Sequence, residues 1–257
     1  MPKWNAFPHL GDYRFDADSA NRHWGRLHAG DAEPLPQDPL VLEAWVLLHN
    51  GEFQQAREAG LKAGWDGVTV ANKATCAYAN YLEKKEKNKL DLFMEVAQRA
   101  EAQAMEQAKN PNAWYWHAYA LGRYSQGISV AKALAQGLGG KVKEALEKTI
   151  KLQPRHADAH IALGAFHAEV IDKVGPLIGG MTYGAKKDIG LKLFQDALKL
   201  NPVSAIGMIE YANGLLMLEG DKKMKEATKL YQQAAASKPL DALERLDVDL
   251  ARAELED

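Results

Sequence analysis

The sequence predicts an all-α protein built as an α-solenoid, about five helical hairpins in a row with inserted loops and a C-terminal capping helix. Three observations carry this. First, ALEKTIKLQP, LFQDALKLNP and LYQQAAASKP close alike at Pro154, Pro202 and Pro239, and the looser EAQAMEQAKNP closes at Pro111. Each is an amphipathic helix end stopped by a proline, which lacks the N–H a helix needs. Second, another helix-forming stretch follows every one of these prolines. Third, no segment shows the alternation of a half-buried strand.

In chain order, residues 1–16 are aromatic and proline-containing without helical period, and read as an extended arm over the first helices. Residues 17–29 read as a helix capped by Asp18 or Ser19, with Trp24, Leu27 and His28 on one side. GDAEPLPQDP is a proline-rich linker ending in Asp38–Pro39, a cap and first-turn pair for a helix from Leu40. The expected division is therefore an N-terminal arm, short helix and linker over 1–38, then a single repeat domain over 39–257. Its first hairpin turns at Asn50–Gly51, with Phe53 at the turn and small residues Ala56 and Ala63 permitting close helix approach. A second pair runs through 69–83 and 91–108, a third from Asn112 to a partner at 141–153, and a fourth from His156 to 188–201. The fifth joins 204–218 to 225–237, and LDALERLDVDLARAEL, polar on one face, is the cap.

The closing prolines are separated by 43, 48 and 37 residues. A tetratricopeptide unit is about 34 residues, so the surplus falls within hairpins, as inserts at 128–140 and 174–187. The tetratricopeptide pattern is carried by Leu163–Gly164 on a first helix, by Phe194, Ala197 and Pro202 on a second, and by Ala227, Tyr231, Ala234 and Pro239 on another. His160 and His167 stand where that pattern prefers Trp and Tyr. With its irregular intervals, the order GRYSQG, VKEALEKTIKLQP, AHIALG, long loop, LFQDALKLNP resembles the regulator of microtubule dynamics family over roughly 112–240. A more distant likeness is to the tetratricopeptide T-component of periplasmic TRAP-transporter systems, although the start MPKWNAFPHLGDYRF has no signal-peptide core. Neither resemblance implies catalysis; both imply binding.

Composition narrows the partner. A net charge of −2, with acids and bases interspersed, leaves no footprint for nucleic acid. No apolar run approaches a membrane span. The lone Cys76 fits a reducing compartment, so the expectation is cytoplasmic.

Aligning Leu121–Gly122 with Leu163–Gly164 puts Trp116, Tyr119 and Arg123 on the first-helix face that lines the concave groove of such arrays. Trp45, Ile161, Ile209 and Asn213 continue that lining. Trp, Tyr and Arg dominate binding hot spots, so the leading reading is a non-catalytic scaffold binding a protein or peptide in the groove, with no cofactor. Self-association is a further option. A second reading is small-molecule or lipid capture in a cavity closed by the two inserts. A third is a metal-dependent enzyme: His156 and His160, four apart on one helix face, have chelating spacing, and Glu169 or Asp172 is available as a further ligand or base. Against it, His160 and His167 occupy positions the repeat normally packs.

The glycine-rich GLGGK (137–141) and GGMTYGAKK (179–187) read as flexible hinges before helices, since neither completes a phosphate loop or follows a strand. EKKEKNK (83–89) and DKKMKE (221–226) read as solvated turns. Cys76, in an alanine-rich helix, reads as packed. Asn72, Lys73, Asn80 and Asn213 do not form the series that clamps chaperone C-termini.

Overall fold

The computed structural model describes residues 3–256, and throughout these the only regular structure is helical. Met1, Pro2 and Asp257, which fall at the ends of the two expected segments, lie outside the described residues. The chain divides into two compact units. The first comprises the residues up to His28, Glu33–Leu138 and Leu240–Leu243. The second comprises Ala29–Ala32, Gly139–Pro239 and Glu244 onward.

In the first unit, α1 (Ala17–Leu27) begins at a capping box. The Asp16 carboxylate accepts from the Ser19 N–H at 2.8 Å and the Ser19 hydroxyl reciprocates to the Asp16 N–H at 2.8 Å. The cap is thus Asp16, two or three residues earlier than expected, with Ser19 in the box's second role. Trp24, Leu27 and His28 are buried together as expected. α2 (Pro39–His49) starts as its sequence dictates, Asp38 accepting from the Leu40 N–H at 2.9 Å with Pro39 in the first turn. Gly51 makes the turn to α3 (Phe53–Lys62) at φ +83°, a conformation that suits glycine.

α4 (Val68–Ala77) has all ten residues buried and runs on into a π-turn at Tyr78–Leu82. α5 (Glu86–Glu106) begins inside the charged run that the sequence suggested was wholly a turn. Pro111 opens α6 (Pro111–Gln126), where the Asn110 side chain accepts from the N–H groups of Asn112 and Ala113. The insert after α6 holds a short helix, α7 (Val130–Ala135). Within this unit α2 packs on α3, α3 on α4, α4 on α5 and α5 on α6, the neighbour-to-neighbour pattern of stacked helical pairs.

The second unit contains α8 (Leu138–Leu152) from Gly139 on, α9 (Ala157–Tyr183), α10 (Lys187–Leu200), α11 (Ala205–Glu219) and α12 (Met224–Ala235). It also takes α13 (Ala242–Glu256) from Glu244 on. Its core is aromatic against glycine. Phe194 is fully buried with Ile161, Ala197, Tyr211 and Leu215, and stacks on Tyr211 at 5.4 Å. A Cβ on Gly214 would fall 2.4 Å from Phe194, and one on Gly164 3.1 Å from it, so both glycines are needed to seat the ring. A second cluster joins Ala205 and Ile209 of α11, Ala234 of α12, and Val248 and Ala251 of α13.

The second insert is not a loop: α9 continues through it to Tyr183, broken by Gly175 at φ +80° just before Pro176, and ends at Gly184 in the left-handed region. GLGGK likewise runs into the first turn of α8, not a free hinge.

Candidate partner-binding site

α6 carries the aromatic-rich sequence, and the structure sorts its residues. Tyr115 and Trp116 are buried, whereas Trp114, Tyr119, Arg123 and Tyr124 are only half-buried. The rings of Tyr115, Trp116 and Tyr119 pack edge-on or tilted within 5.0–5.9 Å of one another. Arg123, one turn beyond Tyr119, lays its guanidinium 5.2 Å from the Tyr119 ring centroid and donates to Gln126 Oε1 at 3.3 Å. That cation–π contact orders a long side chain, lowering the entropy it would lose on meeting a partner. His117 is drawn inward, Nδ1 lying 2.9 Å from the Ala97 carbonyl.

The remaining groove residues need correcting. Trp45 is 0% exposed, Trp116 6%, Ile161 6% and Ile209 3%, so none can line an open surface. Trp45 is enclosed with Trp24, His28 and His49 in a four-ring cluster whose centroids lie 4.0–6.3 Å apart. Lys73 Nζ sits 5.5 Å from its ring. Ile161 belongs to the Phe194 core and Ile209 to the α11–α13 cluster. Asn213 is half-buried, and its Oδ1 accepts from the Tyr231 hydroxyl at 2.5 Å, tying α11 to α12. Helical periodicity shows which residues share a helix face; it could not show that Trp24 and His28 would cover Trp45.

The histidines serve the backbone. His156 is fully buried and caps α9, its Nδ1 accepting from the Ala159 N–H at 3.1 Å. His160 Nδ1 lies 2.9 Å from the His156 carbonyl. His167 Nδ1 accepts from the Lys186 N–H at 3.1 Å and so anchors the start of α10. Burial, aided by nearby Lys143, holds the His167 pKa below its ordinary value, which keeps that acceptor unprotonated. Among the described residues no group of three or more His, Cys, Asp or Glu side chains is placed to hold a metal ion. Cys76 is buried, and burial pushes its thiol well up, away from reactivity. Asn72 and Lys73 are buried too, which removes them from any surface clamp.

Sequence reasoning missed the polar interior of the first unit. Arg57 donates to Glu95 at 2.6 Å, and Arg99 donates to the same Glu95 oxygen at 2.6 Å, to Asn72 Oδ1 at 2.7 Å and to Thr75 at 3.2 Å. Burial works to raise the Glu95 pKa, but the two guanidinium groups outweigh it and hold the carboxyl below its usual range. His49 Nδ1 pairs with Asp241 Oδ2 at 2.7 Å, both side chains buried. The only local signal was the Glu95–Arg99 spacing of four, which reads as a solvent-facing pair.

Among the described residues no helix is long and apolar enough to cross a membrane. No curated protein matches the chain. Residues 53–173, from the start of α3 into α9 and a little under half of the chain, do match a family model. They begin well before the stretch of 112–240 in which the resemblance was read and share 112–173 with it. Over this region the chain is similar to the family described as regulator of microtubule dynamics protein 1-3.

Proposed function

We propose that this chain is a non-catalytic, tetratricopeptide-like adaptor of the cytoplasm, a single solenoid over 39–257, which binds a protein partner through the half-buried face of α6. The observation that carries this reading is the family match, which encloses α6 and whose description names a regulator of a protein polymer. Tyr119 and the Arg123 stacked on it are the residues of the expected groove left accessible there, and both are hot-spot types. The engagement of His156, His160 and His167 with backbone groups supports a structural role for them over a catalytic one.

The family description makes polymerised tubulin the first partner to test. Co-sedimentation of the full chain with microtubules is expected, and Tyr119→Ala with Arg123→Ala should weaken it at least about tenfold, the scale of losing one hot-spot contact. Helicity should stay unchanged. Absence of binding by the unaltered chain, or equal binding by the folded double variant, would contradict the reading.

A further inference from the structure

Residues 3–15 form no helix or strand, only a turn in which the Leu10 N–H donates to the Phe7 carbonyl and the Asp12 N–H to that of His9. They are nonetheless held to the first unit as a bound peptide would be. The Trp4 ring stacks on Tyr78 with centroids 4.1 Å apart and planes 8° from parallel, and the Arg57 guanidinium lies 5.9 Å from the Trp4 centroid. The Trp4 N–H donates to Gln54 Oε1 at 2.9 Å, and Asn5 Nδ2 donates to the Leu82 carbonyl at 2.9 Å. Phe7 is 3% exposed, edge-on to Phe53 at 6.0 Å. Asn50 takes both sides of the Phe15 backbone, accepting from its N–H at 2.7 Å and donating to its carbonyl at 3.0 Å.

Two aromatic anchors three residues apart occupy separate sockets, while the Gln54 and Asn50 side chains hold the arm's main chain at Trp4 and Phe15. That is how extended peptides are recognised. The sockets are shaped for it. A Cβ on Gly51 would land 2.4 Å from Phe7 Cδ1, so glycine there serves the arm as well as the α2–α3 turn. Tyr78 and Leu82 bound a π-turn whose irregular backbone turns a carbonyl to Asn5; such turns recur at functional sites.

We propose that this face of the first unit is a peptide-docking site, occupied here by the chain's own arm. Its partner is a protein presenting an extended Trp-x-x-Phe segment that displaces the arm. The chemistry of that partner is read from the arm, and the site is independent of the α6 face. A short tether supplies an effective concentration on the order of millimolar. An arm segment with an untethered dissociation constant of about 10 μM for the open site therefore weakens any competitor about 100-fold while it is in place.

A fluorescent peptide of residues 3–16 is the probe, and the host is the full chain carrying Trp4→Ala and Phe7→Ala. The peptide should bind this host about 100-fold more tightly than the unaltered chain, and a peptide with both aromatics replaced by alanine should not bind. Failure of the peptide to bind a host shown by circular dichroism to be folded overturns the proposal, as does equal binding to both hosts. Exchange of differently labelled arms, with doubled mass in light scattering of the unaltered chain, overturns it in favour of a second copy as occupant. Should the double variant fail to fold, Trp4→Ala with Asn5→Ala keeps buried Phe7. It is expected to bind the peptide about tenfold more tightly than the unaltered chain, and no gain there counts against the proposal.

Discussion

The two units solve the burial of a first-helix face in opposite ways. In the second, α9 and α11 approach through glycine, and Phe194 fills the space that Gly164 and Gly214 leave, so the cluster around the ring is apolar. In the first, α4 is buried along its whole length although it carries Thr69, Asn72, Lys73 and Thr75; Arg99 and Gln103 of α5 answer Thr69, Asn72 and Thr75, and Lys73 lies over the Trp45 ring. Apolar packing against glycine is tolerant of salt and pH but intolerant of volume. A buried polar network tolerates volume changes better but fails when one partner is removed. The difference teaches where specificity resides: the second unit has the regular repeat core, and the first has the individually matched contacts.

The largest effect that would break this contrast is at Phe194. Phe194→Ala should cost about 3–5 kcal/mol by leaving a cavity flanked by two glycines. Urea denaturation measures it, and a loss under 1 kcal/mol would mean that the ring is not the keystone of the second unit. Next in size is Glu95→Gln, which strands two guanidinium groups on one neutral amide. Because Glu95 is 40% exposed, solvent screens part of the loss, and about 2 kcal/mol is expected.

A smaller effect is pH-dependent. The His167 pKa is lowered in the folded chain, so the unfolded chain binds the proton more readily. Its stabilising contribution is complete above the unfolded value of about 6.5 and is lost as pH falls through and below it. Denaturation at pH 7.5, 6.5 and 5.5 should show a loss on acidification that is smaller in His167→Gln. The smallest effect is that of Arg123→Ala, about 0.5 kcal/mol of stability for a half-buried cation–π contact, since its proposed role is toward the partner and not the fold.

Much of the fold was legible because its signals are local. Asp38–Pro39 caps a helix through an atom two residues away, and Asn50–Gly51 must turn because Gly51 takes a positive φ. The proline stops need no partner at all. The arm reading rested on aromatics and lack of period, and among the described residues Trp4 stacks on Tyr78 and Phe7 packs edge-on to Phe53. The candidate site was less so. Tyr119 and Arg123 remained accessible, whereas Trp45 and Trp116 are buried, because exposure depends on what folds over a face and not on the face's own period. The pair His49–Asp241 spans 192 positions and left no pattern to read. The inserts looked like loops because Gly and Pro punctuate them, yet α9 runs past Gly175–Pro176 as a second helical stretch.

Amide hydrogen exchange of the full chain, with and without microtubules, tests most directly whether the first unit carries the partner site. The account predicts added protection along α6 around Tyr119–Gln126, with α10–α12 unchanged. Added protection on α10–α12 and none on α6 would contradict it.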